Sequence, residues 1–366
     1  MTSYQVIEWG EPLERRDYPT PDPQGTEVLV EVQACGVCHS DLHIHTGYFD
    51  MGGGRKRVLA DLGVELPLTL GHEPVGTVAA VGPEVDDPAA AGVPIGAPRV
   101  VWPWVGCRQC AACLREEDIL CERGRYLGAR VDGGYSDYLL VPHPRYLQPY
   151  DGIEADAAAT YACAGITGYA AVKRALTTNP EDSGTLGRIG PGDTLLLVGA
   201  GGVGLSALRV ARAITDARIV VADISAEKRA LAEANGADAT IDTSDPEAGR
   251  QLKAQSGAGV AASVDFVGMQ ETSRVALDSL RRGGTHVVVG LFGGELKVSV
   301  ADYIYGLLAI RGSHLGTPQD LAELIELRRD GRIEPPPIAR RPLAEVNDVF
   351  AELHSGSIDG RVVVVP

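Results

Sequence analysis

The sequence predicts an α/β chain of two domains, one β-rich and one built on a doubly wound parallel sheet. Three observations carry this. The 366 residues exceed what one hydrophobic core usually serves. The first 150 or so hold short valine-rich runs separated by Gly/Pro turns. From about residue 158, apolar strands alternate with helix-period segments over roughly 140 residues.

Taken in order, "EVLVEVQAC" and "VGTVAAVG" read as strands of the first domain. "DTLLLVGAGGVGLSALRVARAI" reads as an apolar strand, a glycine turn and a helix with Leu205, Leu208, Ala211 and Ile214 along one face. "RIVVAD" is the next strand. "SAEKRALAEANG" follows as a helix capped by Ser225 and ended by Gly236. "SVDFVG" and "HVVVGLFGG" are further strands, with "ETSRVALDSLRR" a helix between them. From about 302 the texture turns irregular, with "IEPPPIARRPL", before a closing strand "GRVVVVP". "LTTNPEDSGTLGRIGPGD", residues 176 to 193, reads as an exposed polar insertion.

A net charge of −16 argues against a nucleic-acid backbone or an anionic membrane as partner. The N-terminus has no apolar leader core, and the longest apolar run, Thr194 to Leu208, is short and glycine-rich. A cytoplasmic protein is expected. Its seven cysteines are odd in number and cluster at CxxC spacing, which points to metal ligation rather than a disulfide framework.

Cys107, Cys110, Cys113 and Cys121 fall within 15 residues, where a random scatter of seven would place about 0.3. Four thiolates so spaced suit a closed tetrahedral structural zinc site in a lobe spanning about 104–122. The bacterial iron–sulfur run has a shorter last gap and a proline after its last cysteine; here Glu122 follows. Elsewhere, "GVCHSDLH" offers Cys38, "LGHEPVG" offers His72 and Glu73, and "TYACAGITGY" offers Cys163. A catalytic zinc needs three protein ligands and an open position, which these could supply. Each of them alone also reads as an ordinary packed or hydrogen-bonded residue.

Gly199, Gly201, Gly202, Val203 and Gly204 form a G-x-G-x-x-G turn between a strand and a helix. Such glycines let the backbone approach a pyrophosphate resting on the helix N-terminus. Asp223, at the end of the next strand, would accept from the adenosine ribose and repel a 2′-phosphate. NAD is expected over NADP.

Together, "CGVCHSDLH", "GHEPVGTVAAVG", the four-cysteine lobe, "CAGITGY", "GAGGVG" and "GRVVVVP" resemble the zinc-dependent medium-chain dehydrogenases, alcohol dehydrogenase type, over essentially the whole chain. The resemblance implies a GroES-like β-rich catalytic domain (1–158) interrupted by a Rossmann NAD-binding domain (159–301), with 302–366 returning to the first. It implies two zinc ions per chain: one catalytic, on Cys38, His72 and Cys163 with Glu73 as alternative ligand, and one structural. Asp41 would orient His72. Ser40 would take the substrate hydroxyl proton and pass it through the nicotinamide ribose to His43. His39 would lie near the cofactor phosphates, with Lys228 among the cofactor contacts. The implied activity is hydride transfer between NAD and a primary or secondary alcohol or the matching carbonyl, in a homodimer or homotetramer.

The 33 residues between Cys38 and His72 are more than compact members of the family carry. The surplus, "DMGGGRKRVLADLGVELP", includes a possible helix, "RVLADLG", and could cover the substrate entrance or a subunit contact. Trp102, Trp104 and Leu291 to Gly294 are candidates for the substrate's surroundings, and "FGGELKVSV" for an edge strand. The alternatives are a polyol or sugar dehydrogenase and a non-catalytic NAD-binding protein on the same fold.

Overall fold

The computed structural model describes residues 1–177, 189–358 and 360–366; most of the polar insertion expected at 176–193 lies outside the described residues. Among the described residues no helix is long and apolar enough to cross a membrane.

The strand Val28–Val37 is the axis of the first domain. Its sequence VLVEVQACGV is buried at all but two positions, so it must be covered on both sides. It sits inside a seven-stranded sheet ordered Leu147–Pro149, Pro98–Val101, Glu73–Val81, Val28–Val37, Arg361–Val365, Ile338–Pro342, with Tyr138–Val141 beside its first half. The closing strand pairs antiparallel with the second half, Val362 opposite Val37 and Val364 opposite Cys35. The return of the chain to its first domain is thus a backbone ladder.

The second sheet has six parallel strands in the order Ala239–Asp242, Arg218–Asp223, Thr194–Val198, Val260–Asp265, Leu280–Val288, Ala309–Gly312. All five residues of Thr194–Val198 are buried. Leu195 and Leu197 face one core and Leu196 and Val198 another, as the two-residue period of a strand requires. Each such leucine contributes roughly 1.5–3 kcal/mol by leaving water. The first of these cores also holds Val28, Val75 and Val100 of the other sheet, joined through Ala158, Ile166 and Leu208. The helix Ala226–Ala234 begins and ends as expected: the Ser225 hydroxyl accepts from the Lys228 amide, and Gly236 adopts φ 96°.

Four expectations need correction. The parallel sheet continues past the boundary placed at 301, because Ala309–Gly312 is its sixth strand. The region expected to be irregular from 302 includes the helices Val300–Gly306 and Pro318–Arg329. The segment "FGGELKVSV" is not an edge strand, since 293–299 carries no regular structure. "RVLADLG" is not an α-helix: Lys56–Val58 pairs with Tyr48–Asp50 as a hairpin, and Ala60–Leu62 is a single 3₁₀ turn.

Candidate active site and metal centres

The stretch that opens on Cys38 folds as the start of a helix, His39–His45. Cys38 is the extended residue before it, and Asp41 turns back to accept the Cys38 amide at 3.0 Å. The same carboxylate, fully buried, takes His72 Nδ1 at 2.7 Å and the Tyr135 hydroxyl at 3.1 Å. With Nδ1 so held, Nε2 is the His72 nitrogen left for a metal, and that atom is buried with no hydrogen-bond partner among the described residues. His72 lies in the bend before the strand Glu73–Val81, whose first residue supplies the neighbouring carboxylate.

Cys163 arrives from the helical run Ala155–Leu176, at its one π turn, Tyr161–Gly165. Its sulfur lies 4.0 Å from that of Cys38, and one donor atom from each of Cys38, His72, Glu73 and Cys163 lies within 4.8 Å of the others. Two thiols, an orphaned imidazole nitrogen and a carboxylate form a donor set that fits zinc. The Cys38 thiol is held well below its ordinary pKa, first by its hydrogen bond with Cys163 and then by His72. Asp41→Asn keeps the shape but weakens the bond that fixes the His72 ring. It is expected to lower zinc affinity roughly 10- to 100-fold in chelator competition, and unchanged affinity would refute the role.

Sequence reasoning missed Arg361. It opens the closing strand, is 7% exposed, and pairs with Glu73 Oε2. Gly36, paired with Glu73 across the sheet, leaves room for this contact: a Cβ there would lie 2.0 Å from the Glu73 carboxylate. Burial raises the Glu73 carboxyl to about 7, although the Arg361 guanidinium acts in the opposite direction. The Arg361 side chain also reaches Gly202, where a Cβ would meet its Cδ at 3.4 Å. One arginine therefore pairs with the candidate ligand Glu73 and lies beside the glycine turn. An ionisable residue in an otherwise apolar strand was its only signal in the sequence.

Ser40 and His43, three apart on one helix, share a face. His43 lies between Phe49, at 5.7 Å between ring centroids, and Phe292, at 6.3 Å; Phe292 also meets His39 at 6.5 Å. Phe292 comes from the parallel-sheet domain, so the two histidines sit where the domains meet. Burial, and secondly His39, hold His43 below its ordinary pKa, so the ring is neutral at pH 7 and able to accept a proton. His39 is likewise lowered, first by desolvation and further by Arg361 and Lys228. Of the other candidates near the substrate, Trp102 is fully buried with its indole N–H on Gly316 O at 3.0 Å. Trp104 stacks on Tyr126.

In the glycine turn, Gly199 has φ 95°, and a Cβ on Gly204 would lie 1.8 Å from the Gly199 carbonyl oxygen; neither position admits a side chain. The turn leads into the helix Gly202–Ile214, and among the described residues nothing beyond its own chain neighbours lies within 4 Å of where a Gly201 Cβ would stand. That bare N-terminus fits a pyrophosphate. Asp223 is anchored beside it, accepting from the Ala200 amide at 2.8 Å and the Ser225 amide at 2.9 Å.

The second candidate metal centre is local in sequence. Cys107 and Cys113 sulfurs are 4.0 Å apart, those of Cys110 and Cys121 are 3.8 Å apart, and donor atoms of all four lie within 4.8 Å of one another. None forms a disulfide. Backbone amides point at the sulfurs, Cys107 N to Cys121 and Cys110 N to Cys107, both at 3.3 Å. The Gln109 amide leads in drawing the Cys107 thiol down to about 6, while burial pushes the Cys113 and Cys121 thiols up. Trp104 ties the lobe down, its indole N–H on Asp118 O at 2.6 Å and its ring edge-on to His314.

Known proteins resemble this chain over its whole length. The alcohol dehydrogenase GroES-like domain model matches residues 24–150, and the zinc-binding dehydrogenase model matches 202–329. An NAD-dependent alcohol dehydrogenase of Sulfurisphaera tokodaii is 34% identical over the full length of both chains. The alcohol dehydrogenase of Aeropyrum pernix has a crystal structure that superposes with a TM-score of 0.85, at 32% identity and full coverage of both chains. The D-arabinose dehydrogenase of Sulfolobus solfataricus superposes at 0.80, with 26% identity, covering 100% of this chain and 99% of its own.

Proposed function

This chain belongs to the zinc-dependent medium-chain dehydrogenases of the alcohol dehydrogenase type, and from that premise we propose that it moves hydride between NAD and a primary or secondary alcohol or the matching aldehyde or ketone. The observation that carries the proposal is the convergence of Cys38, His72, Glu73 and Cys163 beside the helix that holds Ser40 and His43.

Cys38, His72 and Cys163 would hold the catalytic zinc and Cys107, Cys110, Cys113 and Cys121 the structural one. When bound, the catalytic zinc supplies Lewis acidity toward a hydroxyl or carbonyl oxygen, and NAD supplies the hydride acceptor. Asp41 fixes the His72 ring throughout. Ser40 takes the hydroxyl proton and His43, neutral at pH 7, is its acceptor at the domain boundary. Glu73, with a carboxyl near 7 and one oxygen lacking a partner among the described residues, would be the alternative ligand.

The His43 role has a pH signature. The neutral ring accepts the proton, so alcohol oxidation falls as pH drops through a pKa below the ordinary 6.5. His43→Gln is expected to cut kcat roughly 10²-fold and to remove that acid limb. An unchanged profile in steady-state assays would rule His43 out as acceptor.

The partners we propose are small alcohols and carbonyls, with neither nucleic acid nor membrane, in a cytoplasmic homo-oligomer. The net charge of −16 supports the exclusions, and seven unpaired cysteines support a reducing compartment. Exposed Val300, Ile304 and Tyr305, beside the terminal strand Ala309–Gly312, support self-association. We divide the chain into a catalytic domain of 1–158 with the closing strands, and a coenzyme domain whose sheet ends at Gly312.

The test is reduced-cofactor formation by zinc-loaded protein with NAD or NADP and a panel of aliphatic, aromatic and polyhydroxylated alcohols. Turnover of simple alcohols with NAD supports the proposal. Turnover confined to polyols would favour the second reading, a sugar or polyol dehydrogenase, to which the similarity with the D-arabinose enzyme lends weight. Binding of zinc and NAD without turnover would favour a non-catalytic protein.

A further inference from the structure

We propose that Asp242 sets cofactor choice together with Asp223, by holding Arg229 in an ion pair that denies it to a 2′-phosphate. The inference rests on the NAD reading and deepens it.

Asp223 and Asp242 end adjacent parallel strands and stand opposite each other in register. Two carboxylates at one sheet edge repel a phosphate monoester. A cation sits beside them: Arg229, on the helix Ala226–Ala234 that follows Asp223. Arg229 is a natural phosphate ligand, since its planar guanidinium can donate two parallel bonds. Here both of its terminal nitrogens are already engaged. Nη1 donates to the Asp223 carbonyl at 2.8 Å and the Ile224 carbonyl at 3.0 Å. Nη2 pairs with Asp242 Oδ2 at 3.1 Å, and the Arg229 side chain is only 19% exposed.

Asp242 is itself anchored, its other oxygen accepting the Ser244 amide at 2.9 Å. Removing Asp223 alone therefore leaves one carboxylate in place and the guanidinium still bound. Releasing Arg229 requires Asp242 to lose its charge as well. Asp242 is a positioning residue in this scheme, acting through Arg229.

The experiment is isothermal titration of the zinc-loaded protein with NAD, NADP and 2′,5′-ADP. The proteins are wild type, Asp223→Ser, Asp242→Asn, the double variant, and the double variant with Arg229→Ala. Asparagine can keep the Ser244 bond and Asp242 is 43% exposed, so folding is retained; thermal melting checks this. Wild type is expected to prefer NAD, and Asp223→Ser to weaken NAD with little gain for NADP. The double variant is expected to bind NADP and 2′,5′-ADP on the order of tenfold more tightly than Asp223→Ser, and Arg229→Ala to abolish that gain. A purely structural Asp242 would move NAD and NADP together and leave their ratio unchanged, which overturns the proposal. So does a gain that survives Arg229→Ala. A wild-type preference for NADP would overturn the NAD reading itself, and the proposal with it.

Discussion

Cys38→Ala is expected to lower kcat at least about 10³-fold and to remove one of the two zinc equivalents proposed for the chain. A 10³-fold loss corresponds to about 4 kcal/mol of transition-state stabilisation, within the range of losing a Lewis acid poised at the reacting oxygen. Alanine leaves Cys163, His72 and Glu73 in place, but one of the two thiols is gone. Glu73 is a poor replacement, because the single oxygen it can offer is a weaker zinc ligand than a thiolate. The glycine turn does not depend on Cys38, so NAD binding should persist. Metal analysis, titration with NAD and steady-state kinetics on one preparation separate these effects. Two bound zinc ions with more than a tenth of the activity would show that Cys38 is no ligand.

Cys113→Ser is expected to remove the other zinc equivalent and to lower the thermal midpoint by roughly 3–5 °C, the shift that about 2–4 kcal/mol produces in a chain of 366 residues. The lobe has little else to hold it. Its regular structure is the two-residue strand Trp104–Val105, paired with Arg125–Tyr126, one turn of helix, Ala111–Leu114, and one 3₁₀ turn, Asp118–Leu120, while Leu114 and Leu120 are 72% and 63% exposed. Cys113 is the most buried of its four cysteines, at 3% exposure. Disorder here would also slacken Trp104 against His314, which links the lobe to the coenzyme domain. Differential scanning calorimetry with metal counting is the check. An unchanged midpoint with one zinc missing would mean that packing alone holds the lobe.

The parts legible in the sequence are those written in local spacing. The glycine turn follows a strand and opens a helix within a few residues, and the four-cysteine lobe lies within one loop. The candidate catalytic ligands were legible only as a set, since Cys38, His72 and Cys163 are brought together by the central sheet and a π turn that no periodicity announces. Arg361 escaped because a charged residue opening a strand ordinarily faces water, and its burial depends on Glu73, far off in sequence. "FGGELKVSV" misled because its alternation suggests a strand. Its backbone instead packs on the loop after Asp265: a Gly294 Cβ would lie 2.4 Å from Gly268 O, which leaves no side-chain layer to build a sheet. The true sixth strand, AIRG, is too short to declare itself.

The ladder between Val28–Val37 and Arg361–Val365 has a consequence for how the molecule forms. The six parallel strands all come from one continuous stretch between Thr194 and Gly312, so their pairings close modest loops. The catalytic sheet must instead join segments more than 300 residues apart. During synthesis the dinucleotide half can reach its native topology while the metal-binding half still lacks a strand, and a chain halted before Arg361 would hold an intact nucleotide fold beside an open sheet edge. That exposed edge is a ready template for pairing with other chains, so incomplete copies should be prone to aggregate.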